Sequence, residues 1–394
     1  MTPAVVVIAY QRPDALSRLL RSVASAAYPD GVDVQLVITI DRGPEGMSSD
    51  VAQVAHEFAW AHGTKTVIEQ PERLGLVEHF YACGRLTQEY GDVILLEDDL
   101  VVGPAYYEYT RQACEHYRDE ERVAGFCLYG LWFNGFTHEP FLAVDDGTDV
   151  FFLKLPYTQG LAFTAGQWQR FEERPNPSRS LQHPQIHESF RRFSHDEWFP
   201  SMTSYLAVQE RYFCFPRVSH IVGWGDAGAH FEARSDWFQT PLQLQPRTYN
   251  LPSFDEALAV YDSFFELLPS RLQALGADLP NEGVDIDLGA TRPRTSLQHD
   301  LVLTTRPVRR VIKTYGLQMI PPELNVAQSV PGDLISLARK GDVRWDRLAT
   351  LEAQRRMHAY YWSRNRPSRK RALLFELARR VELWRSRSKG SAPG

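Results

Sequence analysis

The chain has 394 residues, 43% hydrophobic and 23% charged, a globular composition that excludes a disordered or fibrous protein. The length suggests one large or two ordinary domains. The formal net charge of −6 hides an asymmetry, because residues 364–394 carry ten Lys and Arg against two Glu, which puts +8 on this segment and −14 on the rest. A basic tail on an acidic body indicates an anionic partner for the tail, either a membrane or a nucleic acid.

Membrane spans and secretion signals are not evident in the sequence. No apolar run approaches the ~18 residues that a membrane span needs, and the apolar stretch 5–9 is too short for a signal peptide and lacks a basic flank. The cysteines lie far apart without a C-x-x-C pair, which argues against a zinc ribbon or a disulfide scaffold; they are Cys83, Cys114, Cys127 and Cys214. We therefore expect a soluble, cytoplasmic protein whose cysteines are reduced and structural.

The first hundred residues alternate strand and helix patterns. Residues 5–9 are a mostly β-branched apolar run, as expected of a strand buried on both faces. Pro13 and Asp14 start a helical pattern, and strand patterns follow at 34–40, which ends in Asp41, and at 92–96. The order β-α-β-α-β predicts a parallel α/β sheet, whose ligand lies beyond the carboxyl ends of the strands.

The rest of the chain is less regular. Residues 120–245 predict short strands and aromatic-rich loops, and helical patterns return at 255–268 and 346–362. The ranges 277–293 and 321–331 are rich in Pro, Gly and Asp and predict connections. We place a domain boundary near residue 245, between an α/β domain at 1–245 and a mainly helical extension at 246–394.

The strongest local signal is the triplet Glu97-Asp98-Asp99, directly after the apolar run 93–96. Clustered carboxylates repel one another unless a cation compensates them. At the carboxyl end of a strand they therefore suggest a hard divalent metal bound through oxygen, with open positions for substrate phosphates. The alternative is a solvated turn.

The succession of motifs along residues 4–235 resembles the nucleotide-sugar domain of GT-A glycosyltransferases. The likeness is greatest to the inverting N-acetylglucosaminyltransferase I type, and more general to glycosyltransferase family two. It is carried by Ala9-Tyr10-Gln11-Arg12, by Asp41, by 95–100 with the triplet, by 160–163, by His195-Asp196-Glu197-Trp198 and by 217–230. The fold that this resemblance implies is an α/β, Rossmann-like GT-A domain.

The resemblance also implies roles for individual residues. Asp41 would hydrogen-bond the base, commonly uracil, and Asp99 would be the direct ligand of Mn²⁺ or Mg²⁺. His230 stands where such enzymes place a late metal- or phosphate-contacting histidine, although a lone histidine is otherwise a structural residue. The remaining donor contacts would be Ala9, Tyr10, Arg12, His79, Glu97 and Asp98.

An inverting transfer requires one carboxylate opposite the leaving group to take the proton of the attacking hydroxyl. Asp196 and Glu197 are the adjacent candidates. Aligning Trp198 with the tryptophan that follows the family's acidic pair puts Glu197 in the base position, and Asp196 stays the rival because the family more often has Asp there. A helix N-terminal acidic pair would be the purely structural explanation.

Two glycine-containing stretches complete the candidate site. Gly160 suggests a close backbone approach beneath the donor sugar, although a glycine that ends a strand is also explained without a ligand. Residues 223–228 match G-x-G-x-x-G but lack the following helix pattern and the acidic residue of a dinucleotide fingerprint. A loop that closes over the donor phosphates, with Trp224 as a platform for a sugar or base, is the better interpretation.

The tail places an apolar stripe on one helical face among arginines, namely Leu373, Leu374, Leu377, Val381 and Trp384. This pattern is typical of an interfacial membrane helix. It equally fits a helix docked on the domain or on a partner subunit. Nucleic-acid binding is not expected, because no recognised nucleic-acid-binding fold accompanies the charge.

These observations predict a metal-dependent inverting glycosyltransferase that moves a sugar from a nucleotide sugar, a UDP-sugar, to a hydroxyl of a growing glycan or lipid-linked glycan. We expect it in the cytoplasm, peripheral on the inner face of the plasma membrane. One alternative is a sugar-nucleotide pyrophosphorylase, which opens with a Gly-rich loop where this chain has residues 9–13. The other is a non-catalytic glycan-binding protein of the same fold, against which the intact carboxylates count.

Overall fold

A computed structural model describes residues 2–43, 48–174, 182–193, 197–226, 238–280 and 283–362. The first part of the chain alternates strands and helices as the sequence predicts. Its elements are β1 (Ala4–Ala9), α1 (Pro13–Ala24), β2 (Leu36–Ile40), α2 (Ser48–Glu57), β3 (Lys65–Glu69), α3 (Gly75–Arg85), α4 (Thr87–Tyr90), β4 (Asp92–Glu97), β5 (Leu100–Val102) and α5 (Tyr106–His116).

The middle of the chain adds strands with two helices between them. These elements are β6 (Val123–Cys127), β7 (Val150–Leu153), β8 (Leu161–Thr164), α6 (Ala165–Glu172), α7 (Phe199–Val208), β9 (Tyr212–Pro216) and β10 (Ile221–Gly223). The last part contains β11 (Val260–Tyr261), α8 (Pro269–Ala274), β12 (Val284–Asp287), β13 (Leu301–Thr304), β14 (Lys313–Tyr315), α9 (Glu323–Ala327), β15 (Ile335–Arg339) and α10 (Arg347–Trp362).

Nine of the described strands form one large sheet in the order β11-β7-β9-β6-β8-β4-β1-β2-β3. Strands β3, β2, β1 and β4 run parallel, and β8 enters antiparallel between β4 and β6. Every residue of β1 and β2 is buried, because helices cover both faces of a parallel sheet. The α/β, Rossmann-like GT-A fold predicted from the sequence is confirmed by this topology.

Helix α1 shows how the local sequence determines these elements. Pro13 occupies the first turn, where its missing N–H costs no hydrogen bond, and Asp14 complements the positive end of the helix. The apolar residues of the pattern all lie against the sheet; they are Leu16, Leu19, Leu20 and Val23. The four cysteines are buried and form no disulfide, as expected.

The extension after residue 245 contains strands as well as helices. Strands β12, β13, β15 and β14 form a second sheet, and only α10 among the described helices after residue 245 exceeds six residues. The sequence misled because β12 carries two aspartates, which made 277–293 resemble a connection. In the fold Asp285 and Asp287 are buried, and Asp287 accepts a hydrogen bond from Arg306.

The helix predicted at 255–268 is wrong, whereas the one at 346–362 is confirmed as α10. Asp262 Oδ1 accepts hydrogen bonds from the backbone N–H groups of Phe264 and Glu266, which closes a turn that competes with a helix. Strand β11, just before that turn, pairs with β7. The large sheet therefore takes its edge strand from beyond residue 245.

No helix in the described part of the chain is long and apolar enough to cross a membrane.

Candidate active site

The triplet and the segment after β1 meet at one edge of the sheet. Strands β1 and β4 are parallel neighbours with Ile8 opposite Glu97, and the Asp98 N–H donates to the Ile8 carbonyl at 3.1 Å. This register places Arg12, three residues beyond the end of β1, beside the carboxylates. Its guanidinium bonds Asp98 through Nη2 and Asp99 through Nη1, the latter at 3.1 Å.

One guanidinium faces three carboxylates, and two of the three carboxyl groups have a raised pKa. Burial, together with the charges of Asp99 and Asp98, raises the pKa of Glu97 to about 8. Burial also raises the pKa of Asp98 to about 6, although Arg12 counteracts it. The group therefore has more acid than the protein compensates, which is the condition for binding a cation.

Glu197 approaches this group from a distant part of the sequence. Its charge is among those that raise the pKa of Glu97, although 100 residues separate the two glutamates in the chain. The next residue, Trp198, is buried and stacks on Phe80 of α3 with ring centroids 4.1 Å apart and planes 7° apart. This stacking anchors the start of α7 and so positions Glu197 at the carboxylate edge.

Asp196 and His230 lie outside the described residues, so the predicted rival base and the predicted late histidine have no structural description. Glu197 alone represents the acidic pair in the described site.

Asp41 lies at the end of β2, at the same edge, but its carboxylate is largely satisfied by the backbone. Its oxygens accept N–H groups from Arg42 at 2.9 Å, from Leu74 at 2.8 Å and from Gly75 at 2.9 Å. The last two begin α3, so Asp41 caps that helix from another element. A contact to a nucleotide base stays a prediction, and it would use the remaining acceptor capacity.

His79 does not line the site edge. It is 3% exposed, its Nε2 hydrogen-bonds Thr39 Oγ1 within β2, and burial lowers its pKa. His79 therefore holds α3 against the sheet. This arrangement gives no support to the predicted direct contact with a nucleotide.

The segment around Trp224 lies against the triplet. Strand β10 pairs antiparallel with β5, and the Trp224 N–H donates to the Asp99 carbonyl at 2.9 Å. The indole ring is 39% exposed and carries the Arg18 guanidinium 4.7 Å from its centroid. Arg18 also pairs with Asp226. The platform predicted at Trp224 is therefore next to the candidate metal ligand.

Gly160 is explained by packing. Its φ is +67°, which favours glycine, and a Cβ there would approach Ile221 Cδ1 of β10 to 2.9 Å. Glycine here lets β10, the strand that precedes Trp224, pack closely, and the predicted approach to the donor sugar stays a prediction.

Two arginines near the edge were missed by sequence reasoning. Arg18 supports Trp224, and the Arg73 guanidinium lies 5.8 Å from the ring centroid of Tyr10. Neither arginine belongs to a motif in the neighbouring sequence. Arg18 looks like an ordinary surface residue of α1, and its partners are more than 200 residues away. Both guanidinium groups lie beside aromatic residues of the candidate site.

The carboxylate oxygens of this edge are the donor type that a hard divalent cation prefers. Their positive partner is a single arginine. Among the described residues no group of three or more His, Cys, Asp or Glu side chains is arranged so that it could hold a metal ion by itself. Mg²⁺ and Mn²⁺ sites of one or two carboxylates completed by phosphate oxygens match this donor set.

Comparisons with known proteins find structural likeness only. No family model and no curated protein matches the sequence. Solved structures that resemble the chain include Staphylococcus aureus TarS 1-349, with 12% identity over 56% of this chain and 60% of that chain and a TM-score of 0.36. GalNAc-T7 with UDP, GalNAc and Mn²⁺ has 11% identity over 56% and 42%, with a TM-score of 0.38.

The mannosyltransferase PcManGT from Pyrobaculum calidifontis, in complex with GDP-Man and Mn²⁺, has 14% identity over 55% of this chain and 58% of that chain, with a TM-score of 0.34. The chain thus matches less than two thirds of each of these three structures. At such TM-scores the likeness carries no argument, so the fold rests on the strand order and the function on the residues themselves.

Proposed function

We propose that this chain is a metal-dependent, inverting glycosyltransferase that transfers a sugar from a UDP-sugar to a hydroxyl of a growing glycan or lipid-linked glycan. The observation that carries the proposal is the convergence of Glu97, Asp98 and Asp99 with Arg12 and Glu197 at the carboxyl edge of a parallel sheet. In open α/β sheets, ligands bind at that edge.

The donor diphosphate would lie beside the side chains of Asp99 and Trp224. Arg12 already bonds Asp98 and Asp99, so it fixes their carboxylates and brings positive charge next to the phosphates. Tyr10 and Trp224 offer flat surfaces for the base or the sugar. Mn²⁺ or Mg²⁺ bound at Asp99 would stabilise the negative charge that develops on the departing diphosphate.

The acceptor hydroxyl needs a base on the opposite side of the sugar from the leaving group. Glu197 is held by the Trp198–Phe80 stack and lies close enough to Glu97 for their charges to interact. It would take the proton of the hydroxyl as that oxygen attacks the anomeric carbon. No acid is required on the leaving side, because a nucleoside diphosphate leaves as an anion.

A thermal-shift measurement with UDP-sugars, with Mn²⁺ or with EDTA, tests the donor site. A ligand that binds only the folded state stabilises it by RT ln(1 + [L]/Kd), about 2.7 kcal/mol at a hundredfold excess over Kd. We expect this stabilisation for the wild type with Mn²⁺ and its loss in Asp99→Ala. Asp300→Ala, which removes an exposed carboxylate paired with Arg339, is the matched control and should keep it.

A UDP-sugar shift that survives both EDTA and Asp99→Ala would refute the metal-dependent site. Release of UDP from the donor separates an enzyme from a glycan-binding protein of the same fold. Formation of UDP-sugar from a sugar phosphate and UTP would instead identify a pyrophosphorylase.

We further propose that residues 364–394, which lie outside the described part of the chain, attach the protein to an anionic membrane surface. Each basic residue near such a surface contributes about 1 kcal/mol, and salt weakens that attraction. Vesicles rich in phosphatidylserine should sediment the full chain at low salt but not a version that ends at Tyr361. Equal sedimentation of both versions would contradict the proposal.

A further inference from the structure

A second cavity lies where the large sheet meets the C-terminal extension. It has a volume of about 170 Å³ and is lined by residues of the loop 134–142, by the turn after β11, by residues 288–289 and by α9 and α10. It shares no lining residue with the carboxylate edge. Pockets for drug-sized ligands begin near ~300 Å³, so this cavity suits a group about the size of one ring.

Three glutamates line the cavity, and one of them has an unsatisfied oxygen. Glu323 is 5% exposed, and its Oε2 is buried without a hydrogen-bond partner. Glu266 is 3% exposed, and its Oε1 accepts the Gly289 N–H at 2.8 Å. Glu139 contacts His358 Nδ1 at 2.7 Å and accepts the Trp362 indole N–H at 2.8 Å.

The wall of the cavity carries no basic side chain. Among the described residues that line it, none is Lys, Arg or His. Outside the lining, Arg292 pairs with Asp262 and its charge partly offsets the cost of burying Glu266, while Arg306 pairs with Asp287. Burial raises the pKa of Glu323 to about 7 and that of Glu266 well above its usual range. A positive group in the cavity would relieve this cost.

Aromatic rings form the other walls. Phe141 and Phe265 pack edge to face with centroids 5.2 Å apart, and Phe136 packs against Phe265 at 5.5 Å. Tyr361 of α10 completes the lining. Aromatic faces attract organic cations, and the attraction is stronger where water is excluded.

From these walls we propose that the cavity binds a small organic ammonium ion, with the charged nitrogen at Glu323 and Glu266 and the apolar body against the phenylalanines. A metal ion is not the occupant we choose, because the apolar rings of Phe136, Phe141 and Phe265 line the cavity beside the glutamates. The proposal is independent of the glycosyltransferase function, since neither its residues nor its test involve the donor site.

Calorimetry of the full chain at neutral pH tests the proposal with two matched pairs of probes. Glucosamine and glucose differ by an ammonium group on a sugar, and cyclohexylammonium and cyclohexanol differ by one on an apolar ring. The ammonium member of at least one pair should bind, and its neutral partner should not. Which pair binds identifies the carrier of the ammonium as a sugar or an apolar amine.

Two variants locate the binding. Glu323→Gln keeps the shape of the side chain and removes its charge, so it should weaken ammonium binding at least tenfold. Leu142→Lys adds a positive charge at the rim, where Leu142 is 47% exposed and folding is not at risk, and should weaken binding too. Leu142→Gln is the neutral control and should bind like the wild type.

The proposal is overturned if neither ammonium probe binds, or if a neutral probe binds as tightly as its ammonium partner. It is equally overturned if Glu323→Gln and Leu142→Lys both bind like the wild type. UDP-sugar shifts in the same variants should be unchanged, which separates failure of this proposal from failure of the donor site.

Discussion

Buried acids in two regions of this molecule have different partners. In the extension two buried aspartates each have their own arginine: Asp287 accepts from Arg306 Nε at 2.6 Å, and Asp262 pairs with Arg292. At the carboxylate edge, one arginine, Arg12, bonds two of three consecutive acids, and Glu197 adds a fourth.

This difference in partners distinguishes acids that stabilise the fold from acids that can bind a ligand. A buried acid that is paired with a guanidinium has its charge compensated in the folded protein. Removal of the arginine therefore leaves an uncompensated buried charge. A group of acids with too few positive partners keeps uncompensated negative charge until a ligand binds. The group at the carboxylate edge lies beyond the strand ends, where ligands of such sheets bind. The predictions below test whether the two regions respond in these two ways.

The largest expected effect is on catalysis at the carboxylate edge. Glu197→Gln is nearly isosteric and should lower kcat about 10² to 10⁴-fold, because general-base assistance contributes that much. Donor affinity, measured by calorimetry, should stay near the wild-type value. Asp196→Asn should do less or act mainly on the acceptor KM. If instead Asp196→Asn abolishes turnover and Glu197→Gln is active, the two roles are exchanged.

The next effect is on stability in the extension. Arg306→Met leaves Asp287 buried without its guanidinium and should lower the free energy of unfolding by about 3–5 kcal/mol, measured by chemical denaturation. The control is Arg339→Met, which breaks the exposed Asp300 pair and should cost at most about 1 kcal/mol. Added Mn²⁺ should not restore Arg306→Met. Equal losses in the two variants would remove the contrast between buried and exposed pairs.

Arg12→Met should show a feature of each region, namely a loss of stability and a response to added Mn²⁺. It should lower the free energy of unfolding by only about 1–2 kcal/mol, because the side chains of Arg12 and of its partner Asp99 are about one-third exposed. Mn²⁺ should recover part of that loss by supplying the missing positive charge. A Mn²⁺-independent loss would show that Arg12 is a structural partner like Arg306.

The smallest effect concerns Asp41, an acid at the edge that the backbone satisfies. Asp41→Ala removes the cap of α3 and should lower the free energy of unfolding by about 1 kcal/mol. Donor titrations with UDP and GDP compounds show whether it also contacts the base. Unchanged stability together with a lost preference for UDP would assign Asp41 to the nucleotide alone.

Local sequence was enough to predict the first parallel strands of the large sheet and the position of the acids that follow them. The β-branched run 5–9, the helix start at Pro13 and the triplet after β4 are short-range features, and each forms where it was predicted. The periodicity at 346–362 likewise became α10. Such features are determined within one or two turns of chain, because burial and hydrogen bonding there follow the spacing of apolar residues.

Short-range patterns failed at two places after residue 245. The helix expected at 255–268 gave way to a turn closed by Asp262, and the aspartates of β12 looked like a loop until Arg306 was brought to Asp287. A polar residue inside a strand is tolerated only if a partner reaches it, and sequence spacing does not reveal that partner.

The sequence by itself determined that acids would follow β4 at the ligand edge of a parallel sheet. Only the tertiary structure decided which groups would face them: Arg12 from 86 residues away, Glu197 on its Trp198 anchor, and Trp224 hydrogen-bonded to Asp99. The physical reason is that strand pairing sets the register between β1 and β4, and packing brings α7 and β10 to the same edge. Charges then interact through space, whatever their separation along the chain.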